Sequence, residues 1–340
     1  MPISRRSFLT HSAVGVSAIP LSLSQKSLQA SENPTMGQAQ YVSVNGVRTR
    51  YFEAGQGEVV LLVHGGHYGS GSSASNWMPL FPSLSKHFHV FAIDKLGMGF
   101  TDNPKSDREY KMEATVKHIY GFIKAMNIHT VHLVGSSRGG LAVARNAIDH
   151  PELVQTLTIF NSNTLAPVDP PPSLPDLPSE GPKPTRESIR EQLMSNPTAF
   201  QKDFITDEYL EAQLEVALLP KLREAAVRLN QLRKEFVESN PEKVRARPAL
   251  GRNSGTGWWL YEVKDETLAM LESGKLKTPT QIIWGYDDPS ATHPMGSDLF
   301  EMIRKSVDRS RLHFFNKCGH GPYQEYPSEV TDIIVSFRRE

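Results

Sequence analysis

Two rhythms of apolar residues run along this chain. Tyr41-Val42-Ser43-Val44 and a second strand-like run, Val47 to Phe52, flank Asn45-Gly46, which predicts a hairpin closed by a two-residue turn. Val59-Val60-Leu61-Leu62-Val63 is apolar without a break, the pattern of a strand covered on both faces. Further strands are predicted over Val90–Ile93, Thr130–Val134 and Val154–Phe160. Between them the spacing becomes helical near Trp77–Phe88, over Met112–Met126 and over Arg138–Asp149. Near the end, Thr280–Trp284 and Leu312–Phe315 read as strands and Ser328–Arg339 as a helix. Strands joined through helices lie parallel, so the pattern predicts the α/β class. The expected architecture is a mostly parallel eight-stranded sheet with helices on both sides.

The alternation breaks once. Pro167 to Pro184 holds eight prolines in eighteen residues, which neither a helix interior nor a central strand tolerates. Beyond it, Tyr209, Leu210, Leu214 and Leu218, then Leu222, Ala225, Ala226, Leu229, Leu232 and Phe236, recur at helical spacing. The chain therefore divides into a leader over 1–30, a first core segment over 38–164, a Pro-rich linker with a helical cap over 165–265, and a second core segment over 266–340.

Composition narrows the functions. The 340 residues carry 37 basic and 37 acidic side chains, so the charge footprint of a nucleic-acid binder is missing. Residues 185–250 balance 11 basic against 11 acidic residues, so the cap is not a polyanion-binding face. Cys318 is the single cysteine, which rules out a disulfide framework and a thiolate-built metal site. At the start, Arg5-Arg6-Ser7-Phe8-Leu9 precedes an uncharged stretch from His11 to Ser24, with Ala30 as a cleavage point. That combination predicts a twin-arginine export signal, the export machinery as a partner, and a periplasmic or secreted product. The run is too short and polar for a stable membrane anchor. Translation from Met36 would instead leave the protein in the cytoplasm.

Candidate chemistry centres on Gly135-Ser136-Ser137-Arg138-Gly139-Gly140, which follows a buried strand and opens a helix. A sharp strand-to-helix turn needs glycines at its flanks and pushes the Ser137 hydroxyl outward. Ser136 is the rival nucleophile but sits at the position that points elsewhere. A serine hydroxyl needs a base. Of twelve histidines, His320 in Cys318-Gly319-His320-Gly321 combines a late position, a strand end and flanking glycines; His293 and His313 are the rivals. A carboxylate must hold the imidazole, and Gly285-Tyr286-Asp287-Asp288 follows a buried strand. Asp288 fits the Gly-x-x-Asp spacing, and Asp287 competes with it. Two backbone amides must await an oxyanion. Arg138 supplies one, and Gly66, with His67 second, supplies the other from His64-Gly65-Gly66-His67. Asp94, in Asp94-Lys95-Leu96-Gly97, reads as the staple of a tight turn, with an alternative acid as its functional reading.

Together these residues resemble the α/β-hydrolase fold from about Tyr41 to the end of the chain. The His64-Gly65-Gly66 loop, the Gly135–Gly140 turn and Ile205–Leu210 resemble, within it, the meta-cleavage product hydrolases. That family hydrolyses carbon–carbon bonds in dienoate products of aromatic-ring opening. The resemblance implies Ser137, Asp288 and His320 as a triad, Gly66 and Arg138 as the oxyanion hole, and no metal or organic cofactor. The chain departs from the family at three places: Ser136 replaces an asparagine, Gln213 stands where a carboxylate-gripping cap arginine is usual, and Gly321 replaces a tryptophan. The expected function is therefore a serine hydrolase of a small carboxylic ester or lactone, acting through an acyl-enzyme. Carbon–carbon bond hydrolysis is the alternative, and a weakly catalytic ligand-binding module is the third reading.

Overall fold

In the computed structural model, which describes residues 32–33, 35–169, 183–252 and 257–339, Asn45 and Gly46 take left-handed backbone conformations with φ of 51° and 78°. This is the mirror-image turn that suits the twist of two adjacent strands. It joins β1 (Gln40–Val44) to β2 (Val47–Ala54), and Val44 pairs directly with Val47. The expected leader over 1–30 and most of the Pro-rich linker, 170–182, lie outside the described residues.

The sheet continues with β3 (Val59–Val63), β4 (His89–Ile93), β5 (Val131–Ser136), β6 (Val154–Phe160), β7 (Thr280–Gly285) and β8 (Ser310–Phe315). Its eight strands lie in the order β8-β7-β6-β5-β3-β4-β2-β1. From β8 to β4 the neighbours are parallel, and the β1–β2 hairpin closes the other edge antiparallel. Val60 to Val63 are wholly buried, as an unbroken apolar run between two helical layers requires. Helix α1 (Met112–Ala125) packs with α2 (Arg138–Asp149), whose small residues Gly139, Gly140, Ala142 and Ala144 bring it close to the sheet.

One expected helix is broken up. Over Trp77–Phe88 the chain forms a 3₁₀ turn at Ala74–Trp77 and a single α-turn at Phe81–Leu84. Pro79 and Pro82 are the reason, because each lacks the donor that a continuous helix would use. The other segments match the apolar rhythm, with shifts at their ends.

Between β6 and β7 the chain leaves the sheet and forms a helical insertion. It contains α3 (Arg186–Ser195), α4 (Asp207–Ala217), α5 (Pro220–Ser239) and, returning to the sheet, α6 (Tyr261–Glu272). Leu222, Ala225, Ala226, Leu229 and Leu232 form the buried face of α5. Trp258 and Trp259 are buried just before α6, with Trp259 edge-on to Tyr68 at 5.7 Å. The last helices, α7 (His293–Ile303) and α8 (Pro327–Arg339), flank the second core segment. No helix among the described residues is long and apolar enough to cross a membrane. The parallel strands β3, β5, β6, β7 and β8 all end at one edge of the sheet. Their following loops carry Gly66, Ser137, Asn161, Asp288 and His320.

Candidate active site

Ser137 stands between β5 and α2 with φ 54° and ψ −123°, a conformation that a non-glycine residue adopts only when its surroundings force it. Two glycines make the turn possible. A Cβ on Gly135 would lie 2.5 Å from the Gly139 carbonyl oxygen, and one on Gly139 would lie 2.6 Å from the His64 carbonyl oxygen. The Ser137 carbonyl is held by the Gly140 amide at 2.9 Å and by Ser162 Oγ at 2.6 Å. Ser136, the rival nucleophile, is hydrogen-bonded to the buried Tyr323 hydroxyl.

His320 Nδ1 lies 2.5 Å from Asp288 Oδ2. The Asp288 carboxylate has no exposed surface, and three further donors hold it. Asn161 Nδ2 donates to Oδ2 at 2.8 Å, while the Ser290 amide and hydroxyl both donate to Oδ1 at 2.8 Å. Burial alone would raise the Asp288 pKa; the charge and hydrogen bond of His320, with the Ser290 bonds, outweigh it and leave the carboxyl below its usual range. Asp287 points away, accepting the Lys317 amide at 2.8 Å from an exposed position. His293 stacks on Tyr286 at 4.0 Å, and His313 lies within β8.

The loop after β3 comes up beside the serine. A Cβ on Gly65 would lie 2.9 Å from Ser137 Cβ and 3.6 Å from its Oγ, so only glycine lets this backbone approach the hydroxyl. Gly66 has φ 77°, and a Cβ there would sit 2.6 Å from Ser70 Oγ. The His67 amide is already engaged by Ser70 Oγ at 3.1 Å, and its Nδ1 by the Tyr68 carbonyl at 2.8 Å. Burial, reinforced by the Arg138 charge, lowers the His67 pKa to about 4. Beneath the loop, buried Lys95 donates from Nζ to the Gly66 carbonyl at 3.1 Å, and its amide donates to His64 Nε2 at 3.1 Å. Burial lowers the His64 pKa to about 3, so that ring is neutral and accepts this bond. Asp94 pairs with Arg50 at 2.7 Å and takes the Ala74 and Phe100 amides at 2.7 Å, as a turn staple does.

Ser137, His320, Gly66, His67 and Arg138 all line one cavity of about 1570 Å³. The helical insertion supplies the opposite wall, including Leu193, Tyr209, Gln213 and Leu222. Gln213 presents an uncharged amide there. Among the described residues, no three His, Cys, Asp or Glu side chains gather as a metal site requires. Sequence reasoning missed Asn161, Ser290 and Lys95. Asn161, a polar residue at a strand end with φ 35°, carried a weak signal; the other two carried none.

Residues 58–326 match the family model described as alpha/beta hydrolase fold. The chain is 42% identical over 123 residues to the 2-hydroxy-6-oxo-6-(2'-aminophenyl)hexa-2,4-dienoic acid hydrolase of Metapseudomonas resinovorans, a match spanning 36% of this chain and 41% of that relative. It is 25% identical over 302 residues to the 2-hydroxy-6-oxononadienedioate/2-hydroxy-6-oxononatrienedioate hydrolase of Paraburkholderia xenovorans, spanning 86% of this chain and 90% of the relative. Among solved structures, the meta-cleavage product hydrolase of Pseudomonas fluorescens IP01 superposes with a TM-score of 0.63 at 26% identity, covering 90% of this chain and 99% of the other.

Proposed function

The chain belongs to the α/β-hydrolase fold family and is a hydrolase, and from that premise we propose that Ser137, His320 and Asp288 form a catalytic triad that cleaves a carbon–carbon bond next to a ketone. The observation that carries the triad is the 2.5 Å bond between His320 and a fully buried Asp288, at the sheet edge where Ser137 is forced out of the chain's course. The bond cleaved is argued from the relatives, whose names describe hydrolases of oxo-dienoates.

In this reading Asp288 keeps the Nδ1 proton on His320, which leaves Nε2 to take the proton of the Ser137 hydroxyl. Ser137 Oγ attacks the carbonyl carbon, and the resulting oxyanion is received by the amides of Gly66 and Arg138. His67, whose amide serves Ser70, is not part of that pair. Collapse breaks the bond to the neighbouring carbon, which leaves with its electron pair and takes the proton from His320. Water, deprotonated by His320, then releases the acid from Ser137. A carbon leaving group must delocalise that electron pair, so the substrate is cleaved as a ketone whose departing saturated α-carbon is joined, directly or through a double bond, to a second carbonyl that takes up the pair as an enolate.

Hydrolysis of a small ester or lactone is the second reading. Gln213 favours it, because its uncharged amide stands where a carboxylate-gripping arginine is usual; Arg138 and Arg223, which line the same cavity, are the cations a dienoate would have to use instead. The two are separated by assaying one purified protein on an oxo-dienoate and on a panel of p-nitrophenyl esters. Turnover of the dienoate at least about a hundredfold above the esters in kcat/KM is expected, a difference of about 3 kcal/mol in transition-state stabilisation. Ester turnover with no dienoate cleavage would reverse the order.

We further infer export by the twin-arginine route, supported by Arg5-Arg6 and the uncharged run behind them. The Thr35 amide donates to Glu208 at 2.8 Å, a contact that a chain starting at Met36 would lack. Replacing both arginines with lysine is expected to strand the protein in the cytoplasm. Unchanged periplasmic recovery of that variant would refute the assignment.

A further inference from the structure

The segment that follows the candidate base is fastened to the start of the helical insertion, and one side chain holds both. Glu325 closes a short helical turn, Pro322–Glu325, five residues after His320. Its Oε1 accepts the Gly319 amide at 2.9 Å, on the loop that carries the histidine. Its Oε2 accepts the Phe200 amide at 2.9 Å and the Gln201 amide at 2.7 Å, on the stretch between α3 and α4. The same two segments meet directly, since the His320 amide donates to the Thr198 carbonyl at 2.6 Å. They meet so closely that a Cβ on Gly319 would lie 2.7 Å from the Thr198 carbonyl carbon and 3.1 Å from Ala199 Cα. Next to Glu325, Gln324 Nε2 donates to the Tyr209 hydroxyl of α4 at 2.9 Å.

We propose that Glu325 is a positioning residue: it clamps residues 198–201 of the insertion onto the loop carrying His320, so that seating the insertion and aiming the base are one event. The proposal rests on the reading of His320 as the base. Glu325 does not line the cavity and touches no reacting atom; it acts through the backbone on either side.

The chemistry of the clamp calls for a carboxylate. Both oxygens accept from backbone N–H groups, with the Cys318 thiol beside them, so both can be served at once; burial pushes the Glu325 pKa up, and these bonds oppose that rise. Glutamine keeps the shape but has one accepting oxygen. Whichever way its amide turns, an NH₂ group faces the N–H donors of one segment. Glu325→Gln therefore keeps one half of the clamp and repels the other, which uncouples the two segments without opening a cavity. The insertion side can be weakened independently. Phe200→Pro deletes one donor to Oε2, and the Phe200 ring is 53% exposed, so little buried contact is lost. Phe200→Ala keeps the donor and serves as its control.

The test is the rate at which a small fluorophosphonate labels Ser137, which needs only the nucleophile and its base, together with hydrogen exchange at residues 198–201 and 319–320. Glu325→Gln and Phe200→Pro are expected to slow labelling about 10- to 100-fold, the cost of a base displaced by roughly an ångström. Exchange should rise in both segments together. Phe200→Ala should label at the parent rate. A clamp with only a structural role would lower the thermal midpoint and leave labelling of the folded protein unchanged, which would overturn the proposal. So would faster exchange confined to residues 198–201. Ser137→Ala is run beside them: if it still labels, the nucleophile assignment fails, whereas normal loss of its label with unaltered Glu325→Gln rates rejects the clamp alone.

Discussion

At the scale of single residues, the two adjacent aspartates show how one position in the chain changes a side chain's work. Asp288 turns inward from the end of β7 and meets His320, while Asp287 turns outward to cap the Lys317 amide. Asp288→Asn would place an amide that can donate where an acceptor is needed, and the imidazole would lose the partner that fixes its tautomer. A loss of about 10³- to 10⁴-fold in kcat is expected for Asp288→Asn. Asp287→Asn should stay within about threefold of the parent, because an amide oxygen can accept the Lys317 N–H as the carboxylate does. Comparable losses in both variants, measured by steady-state turnover at neutral pH, would sink this division of labour. Asn161 belongs to the same scale. Its amide donates to Asp288 and its oxygen accepts the Gly285 amide at 3.0 Å, so it locks β7 against β6 beside Asp288.

At the scale of elements, legibility tracks how local the cause is. The Asn45-Gly46 hairpin, the unbroken apolar run of β3 and the Gly135–Gly140 turn are all specified by neighbours in sequence, and each is found where the pattern puts it. The Trp77–Phe88 segment failed for a local reason too: its prolines were outweighed by apolar spacing. Ser137 and His320 were legible because each lies beside glycines at a strand end, a signal written within six residues. Asn161 and Glu325 were not. Their partners lie 127 and 125 positions away, and periodicity carries no information about which distant amide a carboxylate or carboxamide will meet. Lys95 makes the same point. Read in the chain it is a charge in a turn; in the structure it is a buried amine under the Gly66 carbonyl.

At the scale of the whole molecule, the core and the wall of the cavity contain imidazoles that folding has made hard to charge. Burial lowers the pKa of His64 to about 3, and those of His67, His118 and His132 to about 4, against 6.5 for a free ring. Desolvation outweighs the anions nearby, Asp94 beside His64 and the Glu58 carboxylate 4.0 Å from His132 Nε2. His118 Nε2 lies 2.9 Å from Thr49 Oγ1 and His132 Nδ1 lies 2.8 Å from Thr156 Oγ1, while His118 Nδ1 and His132 Nε2 are buried with no hydrogen-bond partner among the described residues. Between pH 6.5 and 4 the unfolded chain binds protons on these rings and the folded chain does not. Stability therefore rises with pH across that window, is fully present above it, and drains away as the pH falls. Each ring removes about 1.4 kcal/mol for every pH unit below its unfolded value, so four together can exhaust the margin of an ordinary domain within two or three units. The thermal midpoint is expected to be level near pH 7.5 and to fall steeply below about pH 6. His118→Leu should flatten the decline by one ring's share, because it removes a proton acceptor and an orphaned ring nitrogen from the same place. A midpoint that stays level down to pH 5, or an unchanged slope in His118→Leu, would mean that these rings do not govern the acid limit of the fold.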